Sequence, residues 1–289
     1  MDEFSAVLKA RELVRRANLA AIPADLGAYA AEVCAVIRMR DDLKPTEPGW
    51  SFPSNGKHFI CVNIYDRPER RRFTICHEIA HIALELPSHH QHLPWSGSYV
   101  RKSPQEILCD VFAAELLLPH HLFQPLAERA AIGLAAIDTL AGDFLASVTA
   151  TGSRFATVRA APCAFVLSEQ GRVRYTSRSK ALREASAWIT PQSDLPRDSL
   201  SARIRAGDRS GDAVEMDADL WFENWQRGGV LLEEARHLSQ WDQTLTLLWF
   251  EDEEVPRVRD EIRRDHDEHD EHLRELDGIL PWPGKKRRK

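Results

Sequence analysis

Five residues, His77-Glu78-Ile79-Ala80-His81, constrain this chain more than any other stretch. They sit within Arg67–Leu86, where Phe73, Ile75, Ile79, Ala80, Ile82, Ala83 and Leu86 recur at helical spacing and Pro87 supplies a stop. On a helix, residues i and i+4 stand one turn apart on the same face. Two imidazoles placed this way reach one metal ion. Glu78, directly after the first, is placed to hold and deprotonate a water at that ion.

A catalytic zinc site takes three protein ligands and keeps one position open. The third ligand is expected downstream. Ser103-Pro104-Gln105-Glu106 reads as a helix start, with Ser103 as N-cap and Pro104 in the first turn, and the helix runs to Leu118. Glu106 can supply a carboxylate. Asp110, one turn later, can take the second N–H of a ligand histidine and fix its tautomer. Glu115 competes for the role. It lies nine residues beyond Glu106, two and a half turns, so the two carboxylates face opposite ways and only one can point at the metal. The logic of ligand plus supporting acceptor favours Glu106.

Arg70-Arg-Arg-Phe-Thr-Ile-Cys-His-Glu-Ile-Ala-His81 followed by Glu106-Ile-Leu-Cys-Asp-Val-Phe-Ala-Ala-Glu-Leu-Leu-Leu-Pro119 closely resembles the ImmA/IrrE family of metallopeptidases. Both motifs occur in order and at the family's separation, and the resemblance covers roughly residues 5 to 158. It implies a gluzincin-like site with one Zn2+ per chain, ligands His77, His81 and Glu106, Glu78 as general base, and Asp110 in support. Cys109 stands where the family usually has Ala, and Asp110 where it often has Asn; neither change removes a ligand. The resemblance also suggests that Phe59–Ile64, the strand before the motif helix, receives substrate as an added strand.

The expected fold class is α+β. A mainly helical zincin-like peptidase core with a small sheet spans residues 1–130, and a helix-turn-helix-like segment spans 131–160. A C-terminal α+β domain spans 161–250, which the resemblance implies is of the GAF- or PAS-like sensor type that some family members carry, and a charged helix and disordered tail span 251–289. Within the core, helices are expected at Phe4–Leu19, Leu26–Val36 and His120–Ala131. Strands are expected at Trp50–Phe52 and His58–Ile64, joined by the turn Pro53-Ser-Asn-Gly56. His89–Val100 reads as a loop. Beyond Pro162, Cys163–Leu167 and Arg172–Thr176 read as a hairpin, and Ala213–Met216, Val230–Leu232 and Thr244–Phe250 as further strands.

Several side features have plainer readings. An oxyanion donor is not identified; His120, His121, Tyr99 and His89-His90-Gln91-His92 are candidates. A DNA-reading version of Ile137–Val158 needs basic residues near its second helix, and only Arg154 and Arg159 are there. That segment therefore reads as core or docking surface. Leu220-Trp-Phe-Glu-Asn-Trp225, with Trp241 and Trp249, reads as core or as the lining of a small-molecule pocket. His266-Asp-Glu-His-Asp-Glu-His272 reads as a solvated charged helix, and Lys285–Lys289 as a solubilising tail.

Composition narrows the setting. With 44 acidic against 38 basic residues the net charge is −6, which disfavours general nucleic-acid binding. No run of 18 apolar residues predicts a membrane helix, and the first residues carry no leader pattern. Five scattered cysteines without a CxxC exclude a thiolate zinc cluster and read as reduced thiols, in keeping with a cytoplasmic protein. The resemblance thus implies a cytoplasmic zinc endopeptidase. Its substrate would be a partner protein, a helix-turn-helix transcriptional repressor, and cleavage would switch on a stress or mobile-element response. The alternative is a non-catalytic zinc-containing regulator that acts by binding a partner.

Overall fold

The computed structural model describes residues 1–88, 103–209, 212–251 and 255–256. The expectations for His89–Val100, the acidic His266–His272 run and the basic tail lie outside those residues.

The described chain is α+β. Helix α1 (Glu3–Ala17) buries Ala6, Ala10, Leu13 and Val14, and its N-cap Asp2 accepts the Ser5 N–H at 2.8 Å. Helix α2 (Leu26–Glu32) starts at Asp25, which accepts the Gly27 N–H. The sequence pattern carries this helix to Val36, but it stops at Glu32. Cys34 turns the backbone into the left-handed region (φ 53°), and Ala35–Arg40 becomes strand β1. Here the β-branched pair Val36-Ile37 pairs in a sheet rather than continuing the helix.

Strand β2 (Gly49–Ser54) and β3 (Lys57–Asn63) form the expected hairpin, and β1 joins β3 in parallel, giving the order β1-β3-β2. Since β3 is hydrogen-bonded on both sides, it has no open edge to accept a substrate strand. Among the described residues the outer strands of this sheet are β1 and β2, which corrects the role given to Phe59–Ile64.

Against this sheet lies α3 (Pro68–Ala83), whose residues Thr74 to His81 are all buried. It ends earlier than Pro87 requires. Glu85 adopts a left-handed conformation (φ 56°), the Glu85 N–H donates to the Ile82 carbonyl, and the Leu86 N–H donates back to the His81 carbonyl. Helix α4 (Pro104–Leu117) packs beside α3 and α1, followed by α5 (His120–Arg129), α6 (Leu134–Phe144) and α7 (Val148–Val158). Among the described residues no single helix is long and apolar enough to cross a membrane.

The second sheet comprises β4 (Cys163–Glu169), β5 (Arg172–Arg178), β6 (Val214–Asp217), β7 (Val230–Leu238) and β8 (Gln243–Trp249). Its order is β5-β4-β8-β7-β6, antiparallel throughout. Short helices α8 (Lys180–Glu184) and α9 (Leu200–Ala206) lie between β5 and β6. Cys163, Phe165, Leu167, Leu245 and Leu247 join the same core as α1, α3, α4 and α7. Ala164, Val166, Leu248 and Phe250 face a second core with Leu182, Trp221 and Phe222. The hydrophobic interior is therefore continuous across residue 160. Trp221 and Phe222 are core residues, while Trp241 is half exposed under the Arg67 guanidinium.

Helix α7 meets β4 without room for a side chain at Gly152: a Cβ there would lie 2.4 Å from the buried Phe165 ring. Overpacking of this kind costs about 1–3 kcal/mol. Gly152→Val is expected to lower the urea midpoint with a loss in that range. An unchanged midpoint would show that α7 and the sheet are not pressed together there.

Candidate metal centre

Helix α3 delivers His77, Glu78 and His81, which are 8%, 0% and 2% exposed. Helix α4 delivers the carboxylates. Ser103 caps α4 by accepting the Glu106 N–H at 3.3 Å, with Pro104 in the first turn. A Ser-x-x-Glu start often folds the Glu side chain back onto the cap. Here the Glu106 carboxylate faces the two histidines instead, with Oε2 at 3.1 Å from His77 Nε2 and Oε1 at 3.6 Å from His81 Nε2. The two Nε2 atoms are 3.1 Å apart.

Asp110 stands one turn after Glu106 and places Oδ1 3.1 Å from His77 Nδ1. A carboxylate only accepts, so the Nδ1 proton is the donor and Nε2 is turned toward Glu106. Burial works against charge on the His77 ring. The hydrogen bonds with Asp110 and Glu106 and the nearby negative charge overcome it and lift its pKa to about 9.

These side chains fit a metal ion by the chemistry of their donors. Ligand bonds of about 2.1 Å in a tetrahedral arrangement set ligand atoms roughly 3.4 Å apart. The three separations between His77, His81 and Glu106 run from 3.1 to 3.6 Å. Ligating atoms of His77, Glu78 and His81 also cluster within 4.8 Å of one another.

Glu115 is elsewhere. It is 2% exposed, accepts from Arg11 Nε at 3.3 Å and Arg154 at 2.7 Å, and takes the His120 N–H at 3.1 Å. Its carboxylate ties α1, α7 and the start of α5 to the far end of α4. His120 and His121 line a cavity of about 420 Å³ with Arg11, Asn18 and Glu115, so the structure groups these two oxyanion candidates with Glu115 and not with His77. Arg154 is turned inward to Glu115, and Arg159 sits on the carbonyls of Ala127 and Ala130. Both basic residues of the helix-turn-helix-like segment are thus engaged inside the fold.

Two residues near the site escape sequence reasoning. Ser51 Oγ on β2 donates to Glu78 Oε2 at 2.7 Å, and Ser88 Oγ donates to the same oxygen at 3.1 Å. The one trace of Ser51 is its place as the polar residue between Trp50 and Phe52 in a strand. Cys76 and Cys109, which flank the motif residues, are fully buried, and burial pushes both thiols up to about 12.

An α+β core that buries a His-Glu-x-x-His helix against a Glu- and Asp-bearing helix is the layout of a metallopeptidase-type domain. Residues 35–155 match the IrrE N-terminal-like domain, and every residue of the cluster falls inside that span. Residues 35–155 therefore carry a domain similar to that of the ImmA/IrrE family. A curated relative, the "Radiation response metalloprotease IrrE" of Deinococcus deserti (strain DSM 17065 / CIP 109153 / LMG 22923 / VCD115), is 31% identical over 169 residues. That match covers 56% of this chain and 59% of the relative's length. Among solved structures, a Mycobacterium tuberculosis transcriptional regulator superposes with a TM-score of 0.59 at 15% identity. It spans 87% of this chain and 78% of its own, a likeness of fold.

Glu115→Ala strands Arg154 and is expected to cost about 3 kcal/mol or more, read by denaturant unfolding. Bound metal should stay at the wild-type level, and a metal-free Glu115→Ala protein would move the third ligand there. Thiol labelling of the native protein should modify Cys34, the exposed cysteine, and leave the four buried ones slow. Fast labelling of Cys76 or Cys109 would contradict their packing.

Proposed function

We propose that the chain is a cytoplasmic zinc endopeptidase. The observation that carries this reading is the convergence of His77, His81 and Glu106 beside the buried carboxylate of Glu78. In this reading His77, His81 and Glu106 hold one zinc, and Asp110 keeps the His77 ring oriented. Bound zinc supplies Lewis acidity toward the scissile carbonyl and makes a water acidic enough to attack at neutral pH. Glu78 takes the proton of the attacking water and passes it to the departing amine. Two imidazoles and one carboxylate can also hold manganese or iron.

The substrate in this proposal is a helix-turn-helix transcriptional repressor, cut in an extended linker to release a stress or mobile-element response. The family and the metalloprotease name of the Deinococcus relative support a proteolytic role. The C-terminal sheet, with α8 and α9 inserted between β5 and β6, is proposed as a GAF- or PAS-like sensor for a small ligand.

The test begins with metal content. About one zinc per wild-type chain is expected, lost in His77→Ala and in Glu106→Ala. Removing it with a chelator should lower the melting temperature, because a ligand present at 1,000 times its Kd stabilises by about 4 kcal/mol. Zinc-loaded protein added to a cell lysate should generate new protein N-termini, found by N-terminal labelling, within a helix-turn-helix protein. Glu78→Gln should keep its zinc and cut about 10²–10⁴-fold more slowly. New N-termini produced equally by wild type and Glu78→Gln would overturn the enzyme reading and leave a regulator that acts by binding.

A further inference from the structure

Glu78 reaches its working position with help from the neighbouring strand. Gly49 of β2 lies so close to α3 that a Cβ there would meet Thr74 Cγ2 at 2.7 Å and the Cys61 carbonyl at 2.5 Å. From that contact strand and helix advance together. Two residues along β2, from Gly49 to Ser51, cover about 6.7 Å. Four residues along α3, from Thr74 to Glu78, cover about 6.0 Å. The matched steps carry the Ser51 hydroxyl from a point beside Thr74 to a point 2.7 Å from Glu78 Oε2. Strand alternation sends Trp50 and Phe52 to the other face, where Phe52 stacks on Phe59.

We propose that Ser51 is a positioning residue: its hydroxyl, pinned by the Gly49–Thr74 approach, fixes the plane of the Glu78 carboxylate for proton transfer. This rests on the peptidase reading above. A carboxylate side chain ends in a broad, weakly restrained torsion. Buried at the end of that torsion, Glu78 needs an external bond to choose one orientation. Ser51 comes from a hydrogen-bonded strand, so its oxygen is fixed by the sheet. Ser88 meets the same Oε2 from the chain just beyond α3. Both bonds fall on Oε2, so the two serines hold the carboxylate by the same oxygen. A proton accepted from water by the Glu78 carboxylate and returned to the leaving amine leaves Glu78 a carboxylate at the end of each cycle.

The experiment compares wild type, Ser51→Ala and Ser51→Thr, which keeps the hydroxyl on a residue suited to a strand. Initial rates are taken on a peptide spanning the cleavage site found by N-terminal labelling. Ser51→Ala is expected to lower kcat about tenfold to a hundredfold, part of what a positioned general base supplies. KM and zinc content should stay at wild-type values, and Ser51→Thr should recover most of the loss. An unchanged kcat in Ser51→Ala overturns the proposal. So does a loss of bound zinc, which would make Ser51 a support of the fold alone. The same three proteins loaded with cobalt(II) give a readout that needs no substrate. Ser51→Ala should shift the visible ligand-field bands and Ser51→Thr should not. If wild type cleaves nothing, the peptidase reading fails, and three coincident cobalt spectra then overturn the part assigned to Ser51 independently.

Discussion

The structure depends on the packing of α3 against α4, and on what that packing must do with charge. An ionisable group removed from water is tolerated only when partners meet it. Helix α3 buries His77, Glu78 and His81 within five residues. Helix α4 answers with Glu106 and Asp110, one turn apart, at the two nitrogens of the His77 ring. The pair brackets one imidazole from both sides, which fixes rotation, tautomer and the direction of Nε2 together. The His81 backbone is held in turn, since its carbonyl closes the end of α3.

Among the described residues three carboxylates are at most 2% exposed, and their partners differ. Glu115 is met by the guanidinium groups of Arg11 and Arg154. Glu233 is met by the Leu200 and Ser201 amides, the Ser201 hydroxyl and the Trp221 indole N–H, which docks the start of α9 onto β7. Glu78 is met by serine hydroxyls beside two imidazoles. Guanidinium groups meet a carboxylate with opposite charge. Hydroxyls and amides meet it with neutral donors. The partners thus differ, a charged pair at Glu115 and neutral donors at Glu233 and Glu78, although all three are buried to nearly the same degree.

Much of the site was legible because it is local. The helical spacing of His77 and His81, the Ser103-Pro104 start and the Glu106–Asp110 interval are all set by helix geometry within a few residues. The same arithmetic put Glu115 on the face opposite Glu106, and the structure holds it there between Arg11 and Arg154. The parts that were not legible depend on contacts distant in sequence. Ser51 lies 27 residues before Glu78, and its role follows from the depth of Gly49 against Thr74, which no periodicity encodes. The end of α3 hangs on a left-handed Glu85, a conformation uncommon outside glycine and therefore unsignalled. Strand β1 was hidden because Val33 to Val36 satisfies a helical pattern until β3 offers it a ladder.

The texture change at Pro162 suggested a boundary, yet the core runs through it. Cys163, Phe165 and Leu167 pack with the helices that carry the site, and Arg236 of β7 pairs with Asp138 of α6 through two bonds of 2.9 and 2.7 Å. Glu234 on the same strand accepts the Leu134 N–H that opens α6. From there α6 leads to α7, and Arg154 on α7 grips Glu115 at the far end of α4. The helix holding Glu106 and Asp110 at one end is therefore anchored at the other by an ion pair that rests on the C-terminal sheet. A rigid helix of 14 residues spans about 21 Å. The placement of the two carboxylates thus draws on the packing of the whole described chain, even though the motif that marks the site occupies five residues.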